Sequence, residues 1–225
     1  MKKIITFLGI QAKKSTYSCE AKKTIMVVKK HILHGENGKP VDFIRTPNKS
    51  GILEPFYLVM HYTANTSFDN TVKWFSQRRA KVSSHLVIGR DGRICQMVPF
   101  NRMAWHAGQS KWGELESLNR YSIGVELENA GKLERQDDGT WRSWEGKLIP
   151  DNEVDILIHK NESIATGWHT YTKEQISSSI KVAVALHSEY TFKGILGHDD
   201  IAPDRKIDPG PAFPMKDFIS HVLHK

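Results

Sequence analysis

The sequence predicts an α/β (α+β) domain with a central, mostly mixed β-sheet flanked by helices. Three observations predict it. Residues 56–64, FYLVMHYTA, form a mostly apolar run with aromatic and branched members, the pattern of a buried strand. Two later segments, beginning near Ser67 and Thr172, space their apolar residues as helices do. Residues 85–98 hold two β-rich runs around Asp91-Gly92. Strands and helices thus alternate along the chain, which calls for a sheet with helices packed on it.

Taken in order, residues 1–40 read as an N-terminal appendage and 41–225 as one domain. The opening MKKIITFLGIQAKK places two lysines before a mainly apolar run, Ile4 to Ile10. That run fits either a short export signal or an extra strand, Ile4 to Leu8, closed by Gly9. Residues 31–56 are an irregular lead-in with turn signals at ENGKP and PNKSG. The strand at 56–64 follows and carries His61 into a polar turn. Phe68, Val72 and Phe75 then share one helical face, with Ser67 as N-cap. In the hairpin His85–Arg90 and Arg93–Val98, Asp91-Gly92 supplies the positive backbone dihedrals of a tight turn. Residues 121–131 alternate as a strand, with Ile123, Val125 and Leu127 opposite Gly124, Glu126 and Glu128. Residues 131–170 lack periodicity and read as an insertion, with a hairpin around Asp138-Gly139. Thr172 opens a helix with Gln175 as its capping-box partner and an inner stripe of Ile176, Ile180, Ala183, Val184 and His187. KGILGH is a short strand, and Pro214 opens a last helix.

The apolar fraction is 39%, and no run of about 18 apolar residues occurs, so no integral membrane segment is expected. The net charge of +7 points to an anionic partner: nucleic acid, a membrane surface or a cell-wall polymer. No basic stripe interleaved with aromatics is present, so nucleic acid is not expected. Cys19 and Cys95 are too few for a disulfide scaffold.

Two of the eleven histidines stand out by position. His61 ends a buried strand and His198 ends GILGH; rigid strand ends are where sites are commonly set. Asp208 follows His198 within GHDDIAPDRKIDPGPAF, a loop stiffened by Pro203, Pro209 and Pro211. Two imidazoles and a carboxylate can make a catalytic zinc site with a fourth position open, although these separations match no short zinc pattern. Glu126 and Glu128 compete for an acid/base role on one strand face. Lys206 lies two residues before Asp208, on the same side of an extended chain.

VMHYTA, SSHLVIGRDGRICQMVPFNRMAWHAGQS, NRYSIGVELEN and GHDDIAPDRKIDPGPAF, in this order, resemble the zinc-dependent N-acetylmuramoyl-L-alanine amidase type 2 family over about residues 56–215. The resemblance implies zinc ligation by His61, His198 and Asp208. It implies Glu126, rather than Glu128, as catalytic acid/base and Lys206 as the oxyanion-stabilising cation. It implies hydrolysis of the amide between N-acetylmuramic acid and L-alanine in peptidoglycan or muropeptides. The alternative is a peptidoglycan-binding module without catalysis, which an incomplete ligand set would favour. Trp105 and His106 of AWHAGQS, with Asn129, His85 and Arg90, are the expected substrate contacts; for His85 a supporting role is the alternative, and for Trp105 and His106 simple packing. Location stays open between export and the cytoplasm, with the cytoplasm preferred. Oligomeric state cannot be read from the sequence.

Overall fold

The computed structural model describes residues 25–223, so the apolar run Ile4–Ile10 and Cys19 lie outside the described residues. The chain order is β1 (Asp42–Phe43), β2 (Tyr57–Tyr62), α1 (Phe68–Phe75), β3 (Leu86–Ile88), β4 (Ile94–Gln96), β5 (Ser122–Leu127), β6 (Lys132–Arg135), β7 (Trp141–Arg142), β8 (Leu148–Ile149), β9 (Val154–Ile158), β10 (Ala165–His169), α2 (Lys173–Tyr190), β11 (Gly194–Gly197), α3 (His198–Ile201) and α4 (Met215–Leu223). Three short antiparallel pairs accompany them, Val27–Lys29 with Ile32–His34, Lys49–Ile52 with Arg102–Ala104, and Lys111–Trp112 with Leu115–Glu116.

Six strands form the central sheet in the order β11-β2-β5-β3-β4-β1. It is mixed: β2 pairs in parallel with β5 and β11, β5 in parallel with β3, and β3 antiparallel to β4. Period two sorts the side chains between its faces. Leu58, Met60, Ile123, Val125 and Leu127 join Val182 and Leu186 of α2 and Phe218 and Val222 of α4 in the main core. Val59 packs on the other face with Ala107, Leu118, Leu196 and Ile201. Beside it, Val87 meets Phe68, Val72 and Phe75 of α1. Both faces are therefore covered, which is why β2 reads as a continuous apolar run. His61 shares the parity of Val59 and so belongs to the α1 side.

Ser67 caps α1 by accepting from the Asn70 N–H. The β3–β4 hairpin differs from the expected turn. Gly92, not Asp91, has positive φ, at +83°, and the Gly92 N–H donates to the Gly89 carbonyl. This is a turn over Gly89–Gly92 ending in a left-handed glycine, which needs one positive dihedral rather than two.

Thr172 caps α2 by accepting from the Gln175 N–H, but the Gln175 side chain does not return the bond. Its Nε2 donates to the carbonyls of Ile88 and Glu128 at 3.1 Å each. The buried stripe is accordingly rotated to Gln175, Ser179, Val182, Ala183, Ala185 and Leu186. Two polar residues can sit inside because each is hydrogen-bonded there. Ile176, Ile180 and Val184 fall at the edge of the core, beside Met26 and Val28.

Residues 132–169 form a second, five-stranded antiparallel sheet in the order β8-β7-β6-β10-β9. Leu133, Trp141 and Ile149 make its own small core with Ala130. Its first turn closes at Gly139, where the Gln136 N–H donates to the Thr140 carbonyl.

Candidate active site

Three parallel strands end together and bring the site into being. His61 is the penultimate residue of β2, and Glu126 of β5 is its register partner. β11 runs beside β2 and delivers His198 as the first residue of α3. The chain then loops back, and the Asp199 N–H donates to the Asp208 carbonyl at 2.8 Å, which fixes Asp208 beside His198. Arg205 anchors the loop from outside, its guanidinium donating to the carbonyls of Ala107 and Gln109.

His61 Nδ1, His198 Nδ1 and Asp208 Oδ2 form a triangle with every edge 3.0 Å. All three residues are buried. Tetrahedral zinc with bonds of about 2.0–2.1 Å sets its ligands roughly 3.3 Å apart, so the triangle matches one face of that tetrahedron to a few tenths of an ångström. Two nitrogens facing each other at 3.0 Å also leave no good proton arrangement between neutral rings other than one shared hydrogen. The donor set therefore fits a metal ion.

Charge follows geometry. Burial, then the neighbouring His198, lowers the His61 pKa to about 4, so the ring stays neutral and able to ligate. Burial would raise Asp208, but the imidazoles of His198 and His61 against its Oδ2 outweigh it and hold its carboxyl far below the usual range. Glu126 behaves oppositely. The residue as a whole is partly exposed, yet Oε2 is enclosed without a hydrogen-bond partner. Burial, with the Asp208 charge behind it, pushes this carboxyl well above the ordinary range, against the pull of Lys206. The positive charge of Lys206 acts in the same direction on both histidine and carboxyl, lowering His61 and Glu126.

The expected substrate contacts fare differently. His85 is wholly buried: its Nδ1 accepts from the Gly124 N–H at 3.0 Å and its Nε2 donates to the Arg102 carbonyl at 2.9 Å. His106 is also buried, with Nδ1 3.0 Å from His61 Nε2 and Nε2 3.2 Å from the Ser122 carbonyl. Asn129 is wholly buried and spends its amide on the His169 and Thr170 carbonyls and the Gly131 N–H. Arg90 reaches the Thr170 carbonyl and Glu153, tying β3 to the second sheet. His85, His106 and Asn129 thus have their polar side-chain atoms occupied by the protein itself, and Arg90 commits both terminal nitrogens to it. Trp105 is half-buried, with its indole N–H donating to Ser50. The site also draws on residues that sequence reasoning missed. His159 and Lys160, from the end of the β9 hairpin, contact Asp199 at 3.0 and 2.9 Å. Asn119 accepts from the N–H groups of His106 and Ala107. No local pattern marks any of them.

A buried His/His/Asp set beside the C-terminal ends of parallel strands, with an enclosed carboxyl alongside, is a donor set that could hold a metal ion, of the kind found in hydrolases. The chain belongs to the N-acetylmuramoyl-L-alanine amidase family (Amidase_2), which matches residues 53–211. It is 37% identical over 135 residues to the 1,6-anhydro-N-acetylmuramyl-L-alanine amidase AmpD of Escherichia coli (strain K12), covering 59% of this chain and 54% of that protein. It is 33% identical over 166 residues to the N-acetylmuramoyl-L-alanine amidase AmiD of the same organism, covering 70% and 49%. The chain therefore spans about half the length of the curated relatives it matches. Among solved structures, E. coli AmiD in complex with the substrate anhydro-N-acetylmuramic acid-L-Ala-D-γ-Glu-L-Lys superposes with a TM-score of 0.57 at 27% identity, covering 87% of this chain and 65% of that one. A crystal structure of AmpD gives 0.56 at 26%, covering 81% and 94%.

Proposed function

We propose that this protein is a zinc-dependent amidase that hydrolyses the amide between N-acetylmuramic acid and L-alanine in muropeptides or peptidoglycan. The carrying observation is the 3.0 Å triangle of His61 Nδ1, His198 Nδ1 and Asp208 Oδ2 beside the enclosed carboxyl of Glu126. The substrates named for AmpD and AmiD support the same bond.

The three ligand atoms would hold the zinc and leave one position open, the pattern of a catalytic rather than a structural site. When bound, the ion supplies Lewis-acid polarisation of the amide carbonyl and acidifies water toward about pKa 7. The chain's own residues do the rest. Glu126, neighbour of His61 across β2 and β5, takes the proton of the attacking water and returns one to the departing L-alanine nitrogen. Its raised pKa suits both halves of that transfer, because it must be a base first and an acid later. Lys206 places a positive charge where the carbonyl oxygen becomes negative. Arg205 and the Asp199–Asp208 backbone bond keep Asp208 and Lys206 in register. The complete ligand set and the enclosed Glu126 favour catalysis over recognition alone. Zinc content of the purified protein, read beside cleavage of a muramyl-peptide at that one amide, tests the reading; bound zinc without cleavage leaves a recognition module.

A further inference from the structure

The site description leaves an unusual contact unexplained: the far nitrogen of His61 meets a second imidazole rather than a carbonyl or carboxylate. His198 follows the ordinary pattern, with Nε2 3.2 Å from the Ala107 carbonyl. For His61 the corresponding partner is His106, whose ring stands at 81° to it.

Proton placement along this path is decided by its end. His106 Nε2 lies 3.2 Å from the Ser122 carbonyl, which can only accept, and 3.4 Å from Ser122 Oγ, whose own hydrogen goes to the Leu118 carbonyl at 2.6 Å. Nε2 of His106 therefore carries a hydrogen. The opposite tautomer would set a bare lone pair against a buried carbonyl oxygen and leave both unsatisfied. With its hydrogen on Nε2, the neutral ring presents Nδ1 as an acceptor, and the His61 Nε2–H donates to it at 3.0 Å. His61 is left with its Nδ1 lone pair directed at His198 and Asp208.

The His106 ring is closely enclosed. The His106 N–H donates to Asn119, and the ring lies against the backbone of β5 at Gly124. A Cβ on Gly124 would sit 2.5 Å from His106 Cγ, so only glycine leaves room for the imidazole. His85 packs edge-on behind it at 5.8 Å between ring centroids, with both of its own nitrogens bonded to backbone.

We propose that His106 is a positioning residue that fixes the tautomer and orientation of His61 by accepting its Nε2–H, in a relay that ends on the Ser122 carbonyl. The inference rests on the proposed zinc site for its purpose, but the proton assignment stands on the protein alone. Outer partners of metal-bound histidines typically contribute about 10–100-fold in metal affinity.

The first test is long-range nitrogen–proton NMR of the zinc-treated wild-type protein. His106 is expected as the Nε2–H tautomer with a bare Nδ1; a hydrogen on Nδ1 overturns the proposal, whether or not zinc is bound. The second measures zinc affinity by chelator competition for His106→Leu and His106→Asn. Asparagine can place Oδ1 where Nδ1 stood. Leucine is expected to weaken zinc binding by about 10–100-fold and asparagine to recover most of it, with equal urea midpoints for the two metal-free variants. Equal affinities in wild type and both variants overturn the proposal, as does a loss of affinity in His106→Leu that follows its urea midpoint and is not recovered by asparagine. A wild-type protein that binds no zinc refutes the proposed function instead and leaves the tautomer measurement to decide the relay.

Discussion

Glu126 and His61 are register partners on adjacent parallel strands, so the proposed acid/base and a proposed metal ligand are held side by side by β-sheet hydrogen bonds. Neither depends on a mobile loop. Replacing Glu126 by Gln keeps the shape and removes the titratable group. Turnover is expected to fall by about 10²–10⁴-fold, the usual scale of general acid–base catalysis, with zinc affinity unchanged. Because Oε2 lacks a partner in the fold, the variant should be no less stable than the parent. Steady-state kinetics, zinc titration and urea unfolding check the three parts.

Metal removal should be felt in stability as well as activity. An ion that binds only the folded state stabilises it by about 2.7 kcal/mol at one hundred times its Kd. For a domain of this size that corresponds to roughly 5–10 °C in melting temperature. Calorimetry before and after chelation, with zinc restored as control, measures it. Asp208→Ala should abolish the zinc-dependent part of the shift.

The buried histidines make the metal-free protein acid-sensitive. Burial holds His61, His85 and His169 near pKa 4, while the unfolded chain binds a proton at each below 6.5. The unfolded state thus takes up more protons, and stability falls as pH drops from 6.5 toward 4. Glu126, with its pKa raised above 4.5, works in the opposite sense: its contribution is present below 4.5 and is lost as pH rises through its folded value. His106, which burial also lowers well below its ordinary value, adds to these three, so the histidines outweigh Glu126 and the unfolded state takes up net protons. A stability that falls with pH around pH 5 by about 1.4 kcal/mol per pH unit for each net proton taken up is expected from urea unfolding of chelated protein. A flat profile would show that these rings titrate normally.

The second sheet and the metal-bearing loop meet at Asp199, which receives His159 at 3.0 Å and Lys160 at 2.9 Å. Asp199→Ala leaves the His159 ring buried without this partner. A loss of about 1–3 kcal/mol is expected, and faster proteolysis within residues 154–165 should accompany it.

Much of the fold is legible in the sequence where burial is two-sided or a cap is present. β2 reads as a strand because both faces are covered, and α1 as a helix because Ser67 and the Phe68–Val72–Phe75 stripe agree. The second sheet is not legible, because β7 and β8 are two residues long and its core needs only Leu133, Trp141 and Ile149. The α2 stripe misleads because Gln175 and Ser179 are polar yet buried. In the site, His61 and His198 are suggested by their place at strand ends and Asp208 by its proline-stiffened loop, and only the order of motifs tells them apart from nine other histidines and many carboxylates. His85, His106 and Asn129 look like surface contacts because a one-dimensional reading cannot show that backbone carbonyls and amides in distant segments already take their polar atoms.

The most direct test is incubation of the zinc-loaded protein with N-acetylmuramoyl-L-alanyl-D-γ-glutamyl-L-lysine in water enriched in oxygen-18, followed by mass spectrometry. The account predicts two products, free N-acetylmuramic acid carrying one heavy oxygen in its lactyl carboxyl and the tripeptide with a free L-alanine amine, and neither product from Glu126→Gln. An intact substrate after prolonged incubation with fully loaded protein, or cleavage at any other amide, would contradict it.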